Sequence, residues 1–310
     1  MSGARTVVTI GNFDGVHAGH AALVRRSREE AGDSGRVVVL AFEPHPRSVL
    51  APDSEPPRLT TFEHRADLLR DLGADDVLAL DPRSGLLGLS PQAFIDHVCQ
   101  DFAPSVIVEG DDFRFGKTRA GGMVEMADLG RARGFRVVTV GPVEVDLDDQ
   151  TIRRAGSSLV RDLLRAGRVR DAARVLGRRY RVSGEVVPGD RLGRTIGFPT
   201  ANLVAETMLP ADGVYGALAV LPSGERLPAA VNVGARPTVR GAERRLEAHV
   251  LGGPLEDLPE YGYRLAIELD SWVRDQIRFE SIDALAAQLA RDCARIGAQL
   301  AESEPQETTA

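Results

Sequence analysis

Residues 6–32 read TVVTIGNFDGVHAGHAALVRRSREEAG. The first five are an apolar run rich in β-branched residues that stops at Gly11, and AALVRRSREEAG (21–32) has the spacing of an amphipathic helix ended by Gly32. Between them lie three glycines and two histidines three residues apart, His17 and His20. The same strand-then-helix alternation continues through RVVVLAF (36–42), EHRADLLRDLGA (63–74), DVLAL, PQAFIDHVCQDF, SVIVEG, MVEMADLGRARG and RVVTV (136–140). Val/Ile/Leu runs separated by helices predict an α/β fold, a parallel sheet covered by helices on both faces. Ligands of such sheets bind beyond the carboxyl ends of the strands, where the 11–20 loop falls. Glycines there let backbone N–H groups approach an anion, and the following helix offers its positive end. His17 and His20, one turn apart, point the same way and can donate to phosphate oxygens. Taken alone the loop is a weak signal: a turn with a helix-capping Asp14 and two incidental histidines fits it as well.

The alternation stops near residue 180. YRVSGEVV, YGALAVL, ERLPAAVNVG, RLEAHVLG and YRLAIELDSWVR are strand-like and joined by turns rich in Gly, Pro and Asp. They predict an antiparallel β-barrel. SIDALAAQLARDCARIGAQL then reads as one closing helix behind a Ser281 cap. The expected organisation is a first domain over 1–178, a second over 179–301 and a polar tail over 302–310.

Composition narrows the function classes. The 310 residues include 38 Lys+Arg against 45 Asp+Glu, a net charge of −7 that argues against a general nucleic-acid or anionic-membrane binder. No apolar stretch is long enough to span a bilayer, and no secretory leader is read at the start. Cys99 and Cys293 lie far apart and read as inert buried thiols of a cytoplasmic protein. The one lysine, Lys117, falls in the glycine-rich loop VEGDDFRFGKTRAGG (108–122).

The H-x-G-H of residues 17–20, in GNFDGVHAGH, resembles the signature of nucleotidyltransferases that transfer AMP from ATP and release pyrophosphate. The longer string is similar to the FMN adenylyltransferase module of bacterial riboflavin kinase/FAD synthetases. AFEPHP (41–46) and DDFRFGKTRAGG resemble two further motifs of that module. The resemblance implies that His17 and His20 are catalytic. It implies that Gly11, Phe13, Asp14, Gly19 and Arg161 contact ATP, and that His45, Asp112, Arg114 and Lys117 contact the flavin. The module's ISSTxxR-like helix start corresponds to AGSSLVRDLL (155–164). Ser157, Ser158 and Arg161 match, but Gly156 stands where a serine is expected. That departure puts the strength of adenylyl transfer in question. Residues 153–181 also hold ten arginines, most of which a solvated face explains.

GDRLGRTIGFPTANL (189–203) is the most specific string in the chain. Pro199 fixes the backbone, and Thr200 and Asn202, two apart on an extended segment, present two neutral oxygens to one side. Such donors, completed by ATP phosphates, suit Mg²⁺. The string resembles the riboflavin kinase family, as do LPADGVYGALAV, AAVNVGARPTV and LEAHVL (246–251). The resemblance implies ATP contacts at Gly193, Arg194, Gly197, Thr200 and Asn202, Mg²⁺ ligands at Thr200 and Asn202, and a general base at Glu247. On its residues alone Glu247 also reads as a strand carboxylate paired with Arg244 or Arg245.

The expectation is a bifunctional enzyme whose substrates are riboflavin, FMN and ATP: a kinase that makes FMN and an adenylyltransferase that makes FAD. Two rivals stand beside it: a kinase with a weakened or repurposed first domain, and a non-catalytic flavin-binding regulator. The oligomeric state is open.

Overall fold

The computed structural model describes residues 5–189, 192–238, 241–252 and 259–303. The expected 302–310 tail lies outside these from residue 304 onward. The chain divides into two compact units, Met1–Ser157 and Ser158–Ala310.

The first unit runs β1 (Thr6–Gly11), α1 (Ala18–Ala31), β2 (Arg36–Phe42), α2 (Arg47–Leu50), α3 (Phe62–Asp71), β3 (Asp76–Leu80), α4 (Pro91–Phe102), β4 (Val106–Gly110), α5 (Met123–Arg133), β5 (Arg136–Val140), β6 (Glu144–Asp146) and β7 (Ile152–Arg154). Strands β1–β5 form one parallel sheet in the order β3-β2-β1-β4-β5. Adjacent strand residues face opposite sides. Val7, Val37, Val39 and Val108 therefore pack with Val24 of α1 and Leu69 of α3. Val8, Ile10, Val38, Leu40 and Ile107 pack with Ile95 of α4 and Met126 of α5. This is the expected sheet with helices on both faces. The β6–β7 hairpin was not legible, because EVD and IRR carry no apolar alternation.

The second unit contains α6 (Ser157–Arg165, beginning at the unit boundary), α7 (Val169–Leu176), β8 (Tyr180–Val187), α8 (Leu192–Thr195), β9 (Ala201–Ala205), β10 (Gly213–Val220), β11 (Arg226–Thr238), β12 (Gly241–Val250), β13 (Arg264–Arg274) and α9 (Ile282–Ser303). Six strands close an antiparallel barrel in the order β10-β11-β12-β9-β8-β13. Along β10 the alternation is sharp. Tyr215, Ala217 and Ala219 are wholly buried, while Val214 and Leu218 pack under Ile296 and Leu300 of α9. Ser281 Oγ caps α9 by accepting from Ala284 N. Helix α7 packs on β8 and β13 and belongs to this unit, which begins at Ser158.

Candidate active sites

The three motifs of the first unit leave the carboxyl ends of β1, β2 and β4, which lie side by side at one edge of the sheet. Strand order reverses between β1 and β4, the switch point at which open α/β sheets take their ligands.

The 11–17 loop is tightly held. Phe13 (φ 50°), Gly15 (φ 85°) and Val16 (φ 41°) are left-handed. A β-branched residue there is strained, at about 1–3 kcal/mol, and persists only when its surroundings force it. The forcing group is Asp14, 6% exposed. Its carboxylate accepts from Leu59 N (3.0 Å), Thr60 N (3.0 Å) and Thr60 Oγ1 (3.1 Å), while Ser157 Oγ donates to its carbonyl at 2.7 Å. Phe13 is wholly buried. Phe13 and Asp14 thus shape the loop with side chains that face the interior.

His17 is the N-cap of α1; its Nδ1 accepts from His20 N at 3.4 Å. The two rings stack with centroids 3.7 Å apart, and Phe13 lies 5.0 Å from His20. A Cβ on Gly19 would stand 3.1 Å from the His17 ring, so a side chain there would press on the stacked pair. His45 Nδ1 accepts from Arg47 N at 3.0 Å, and its Nε2 lies 3.4 Å from Asn12 Nδ2, which joins the second motif to the first. Arg65 of α3, 4% exposed, clamps the same junction. It donates to the carbonyls of Asn12 and Phe42 and pairs with Glu43. Burial draws its pKa down while Glu43 and Asp14 oppose the shift. Sequence reading missed Arg65, which looks like one more charge in an amphipathic helix.

Asp112, Arg114 and Lys117 are exposed on the loop after β4. Asp112 pairs with Arg154 at 2.9 Å. Phe115 anchors that loop, stacked with Phe113 (5.8 Å) and packed on Phe94 (6.1 Å). None of the three polar residues is bonded to the histidine pair. Gly11 ends β1, and Arg161 is buried (5% exposed) on α6, in the second unit.

The second unit contains a cavity of about 630 Å³. Gly193, Thr200, Asn202 and Glu247 line it together. Asn202 is the register partner of Glu247 across β9–β12, and Asn232 its partner across β11–β12. One rung of the barrel therefore carries Asn202, Glu247 and Asn232 side by side at the cavity wall. Asn202 Oδ1 is buried without a hydrogen-bond partner. A Cβ on Gly193 would stand 2.2 Å from the Phe198 carbonyl, so only glycine lets this turn close. Gly197 (φ 84°) completes the turn, and Arg194 pairs with Glu260 at 3.1 Å. Arg244 is engaged elsewhere, with Asp212 (2.6 Å).

The far wall of the cavity was not legible in the sequence. Arg274, at the end of β13, donates through Nε (2.9 Å) and Nη2 (2.7 Å) to Asp292 of α9, and Gln288 donates to the other Asp292 oxygen at 2.8 Å. Gln276 Nε2 donates to Asn232 Oδ1 at 2.8 Å. The Asp292 bonds tie α9 to the end of β13, and Gln276 ties the segment before α9 to the Asn202–Glu247–Asn232 rung. Asn232 was detectable in AAVNVG; Asp292 looked like any polar position of an amphipathic helix.

Known proteins show the same two parts. Residues 2–154 match the family model described as FAD synthetase, and residues 176–300 that described as riboflavin kinase. The chain is 39% identical over 294 residues to the bifunctional riboflavin kinase/FMN adenylyltransferase of Escherichia coli (strain K12), a match covering 92% of this chain and 90% of that protein. It is 37% identical over 303 residues to the protein of the same name from Pseudomonas fluorescens, covering 96% and 94%. A crystal structure described as a macrolide-efflux protein from Streptococcus pneumoniae aligns with a TM-score of 0.81 at 29% identity, over 94% of this chain and 93% of that one. Among the described residues no helix is long and apolar enough to cross a membrane. A parallel sheet with a histidine loop at its switch point, joined in one chain to a six-stranded barrel with a carboxylate-lined cavity, defines a two-part nucleotide-using transferase. The chain belongs to the bifunctional riboflavin kinase/FMN adenylyltransferase family.

Proposed function

We propose that the second unit phosphorylates riboflavin with ATP to give FMN and ADP, and that the first adenylylates FMN with a second ATP to give FAD and pyrophosphate. The observation that carries the reading is the rung Asn202–Glu247–Asn232 on the wall of a cavity large enough for substrates of this size. In the kinase step the ribityl primary hydroxyl forms a bond to the γ-phosphorus as the bond to the β-phosphate oxygen breaks. Glu247 accepts the hydroxyl proton. Gly193, Arg194 and Gly197 form the turn beside the phosphates.

The donor set supports Mg²⁺. Among the described residues no cluster of His, Cys, Asp or Glu would hold a metal alone. Thr200 Oγ1 and the unpartnered Asn202 Oδ1 are neutral oxygens that leave room for ATP phosphates and water. Bound there, Mg²⁺ would neutralise charge on the terminal phosphates.

In adenylyl transfer an FMN phosphate oxygen attacks the α-phosphorus of ATP and pyrophosphate leaves, so no protein base is required. Gly11 and Gly19 admit the phosphates to the backbone, with Phe13 and Asp14 fixing the loop from within. His17 and His20 stabilise the developing charge, which is catalysis by position and electrostatics; Arg161 is assigned to ATP by the resemblance alone. His45, after β2, and Asp112, Arg114 and Lys117, after β4, lie beyond the two strands that flank β1 and are assigned to the flavin. Cysteine usage supports a cytoplasmic protein.

Incubating the pure protein with riboflavin, ATP and Mg²⁺ and separating the products tests both steps. FMN followed by FAD is the expected result. FMN alone would point to a weakened first unit, and neither product to a flavin-binding regulator.

A further inference from the structure

Strand β4 is apolar through Val106–Val108 and then carries a glutamate. Glu109 is 1% exposed, and its Oε1 accepts the Ile10 N–H at 2.6 Å. The bond replaces a missing rung. β1 and β4 pair only at Val7–Val106 and Val8–Ile107. Yet β1 continues beside β2 to Gly11–Ala41, and β4 beside β5 to Gly110–Val140. In an uninterrupted parallel ladder the Ile10 N–H would go to the Val108 carbonyl. The two strands part at this rung instead, and the Glu109 side chain takes the carbonyl's place between them. The parting lies at the switch point of the sheet, where a ligand crevice opens, and one residue before the loop that carries His17 and His20.

Burial raises the Glu109 carboxyl above the usual range, the opposing influence being the Ile10 N–H it accepts. Its Oε1 can accept that N–H in either protonation state. A valine or leucine would leave the buried Ile10 N–H without a partner, or let β1 and β4 close on each other.

We propose that Glu109 is a positioning residue of the nucleotide crevice: inserted between the carboxyl ends of β1 and β4, it holds Ile10 and keeps the switch point open at the root of the 11–20 loop. The proposal rests on the reading that the first unit transfers the adenylyl group. The test uses the full chain supplied with FMN and ATP, with riboflavin phosphorylation in the same samples as internal standard and thermal unfolding to verify folding. Glu109→Leu fills the space but accepts no hydrogen bond. It is expected to lower kcat/KM for ATP in FAD formation at least tenfold, mainly through KM, with the kinase within twofold. Glu109→Gln keeps an acceptor and is expected to stay within threefold of the parent. A folded Leu variant with parental kcat/KM would reduce Glu109 to a structural role and overturn the proposal. So would a Gln variant as impaired as Leu, since the acceptor would then not be what matters. If the Leu variant is insoluble, Glu109→Met carries the same reading. Failure of the unmodified chain to convert supplied FMN is a separate result, which strikes the assignment of the first unit.

Discussion

Asn202 and Glu247 are direct partners across the β9–β12 ladder, and both line one cavity. Register partners share a face of the sheet, so a buried amide oxygen without a partner stands next to the Glu247 carboxylate. On the proposed reading, the pairing would put a cation-binding oxygen and the base within reach of the same phosphoryl group. Glu247→Gln preserves the rung but removes the base, and is expected to slow FMN formation by about 10²-fold or more. FAD formation from supplied FMN should be retained. His20→Ala should give the reverse pattern. Loss of both activities in either folded variant would refute one site per unit.

Gly156 precedes the serine that bonds the Asp14 carbonyl. A Cβ at Gly156 meets nothing within 4 Å, so a serine fits without strain. A hydroxyl there could donate to a phosphate oxygen, an interaction with a charged group worth about 1.5–3 kcal/mol, or roughly ten- to a hundredfold in rate. Gly156→Ser should therefore accelerate FMN adenylylation at subsaturating ATP and leave riboflavin phosphorylation unchanged. An equal or slower rate in the serine variant would show that the backbone already satisfies the phosphates.

Glu109 makes stability depend on pH in a defined direction. Its carboxyl pKa is raised by burial. Below about pH 4.3 the acid is protonated in both folded and unfolded chains. As pH rises past that point the unfolded chain ionises while the folded one holds its proton, so the folded form loses relative stability until its own raised pKa is reached. Glu109→Gln removes this loss. The Tm difference, Gln variant minus parent, should be near zero at pH 4 and grow positive towards pH 8. A gain of ~1 kcal/mol would read as about 2–4 °C in a domain of this size. A gap constant with pH would contradict it.

The unit boundary predicts how the chain divides. Val169, Ala172, Val175 and Leu176 of α7 are buried, and α7 packs on β8 and β13. Leu164 O also accepts from Ala211 N at 2.8 Å. A fragment beginning at 158 should be soluble and melt cooperatively. One beginning at 179 exposes the strands beneath α7 and should lose several kcal/mol, at about 1.5–3 kcal/mol per large apolar side chain uncovered. Soluble yield and Tm of the two fragments decide it; equal values would mean that α7 contributes nothing to the barrel.

The sequence by itself determined the two architectures. Unbroken Val/Ile/Leu runs between amphipathic stretches leave a doubly covered parallel sheet as the solution, and alternating runs joined by Gly/Pro/Asp turns leave an antiparallel one. It also put the first motif beyond the carboxyl end of a parallel strand, where such sheets bind ligands; that β2, β1 and β4 lie side by side was decided by the sheet order. Only the tertiary structure decided which side chains meet. His17 and His20 are three apart on any helix, but that His17 caps α1 and stacks on His20 depends on the strained Phe13–Val16 turn. That turn is held by Leu59 and Thr60, some 45 residues away. Asn202, Asn232 and Glu247 become one rung through strand register, and Asp292 reaches the same cavity only because α9 folds back on the barrel. Sequence reading did not single out Glu109, whose partner, Ile10 on the neighbouring strand, only the fold supplies. Periodicity reports which side of an element faces the core; the register between distant elements is set by packing, and no local pattern carries it.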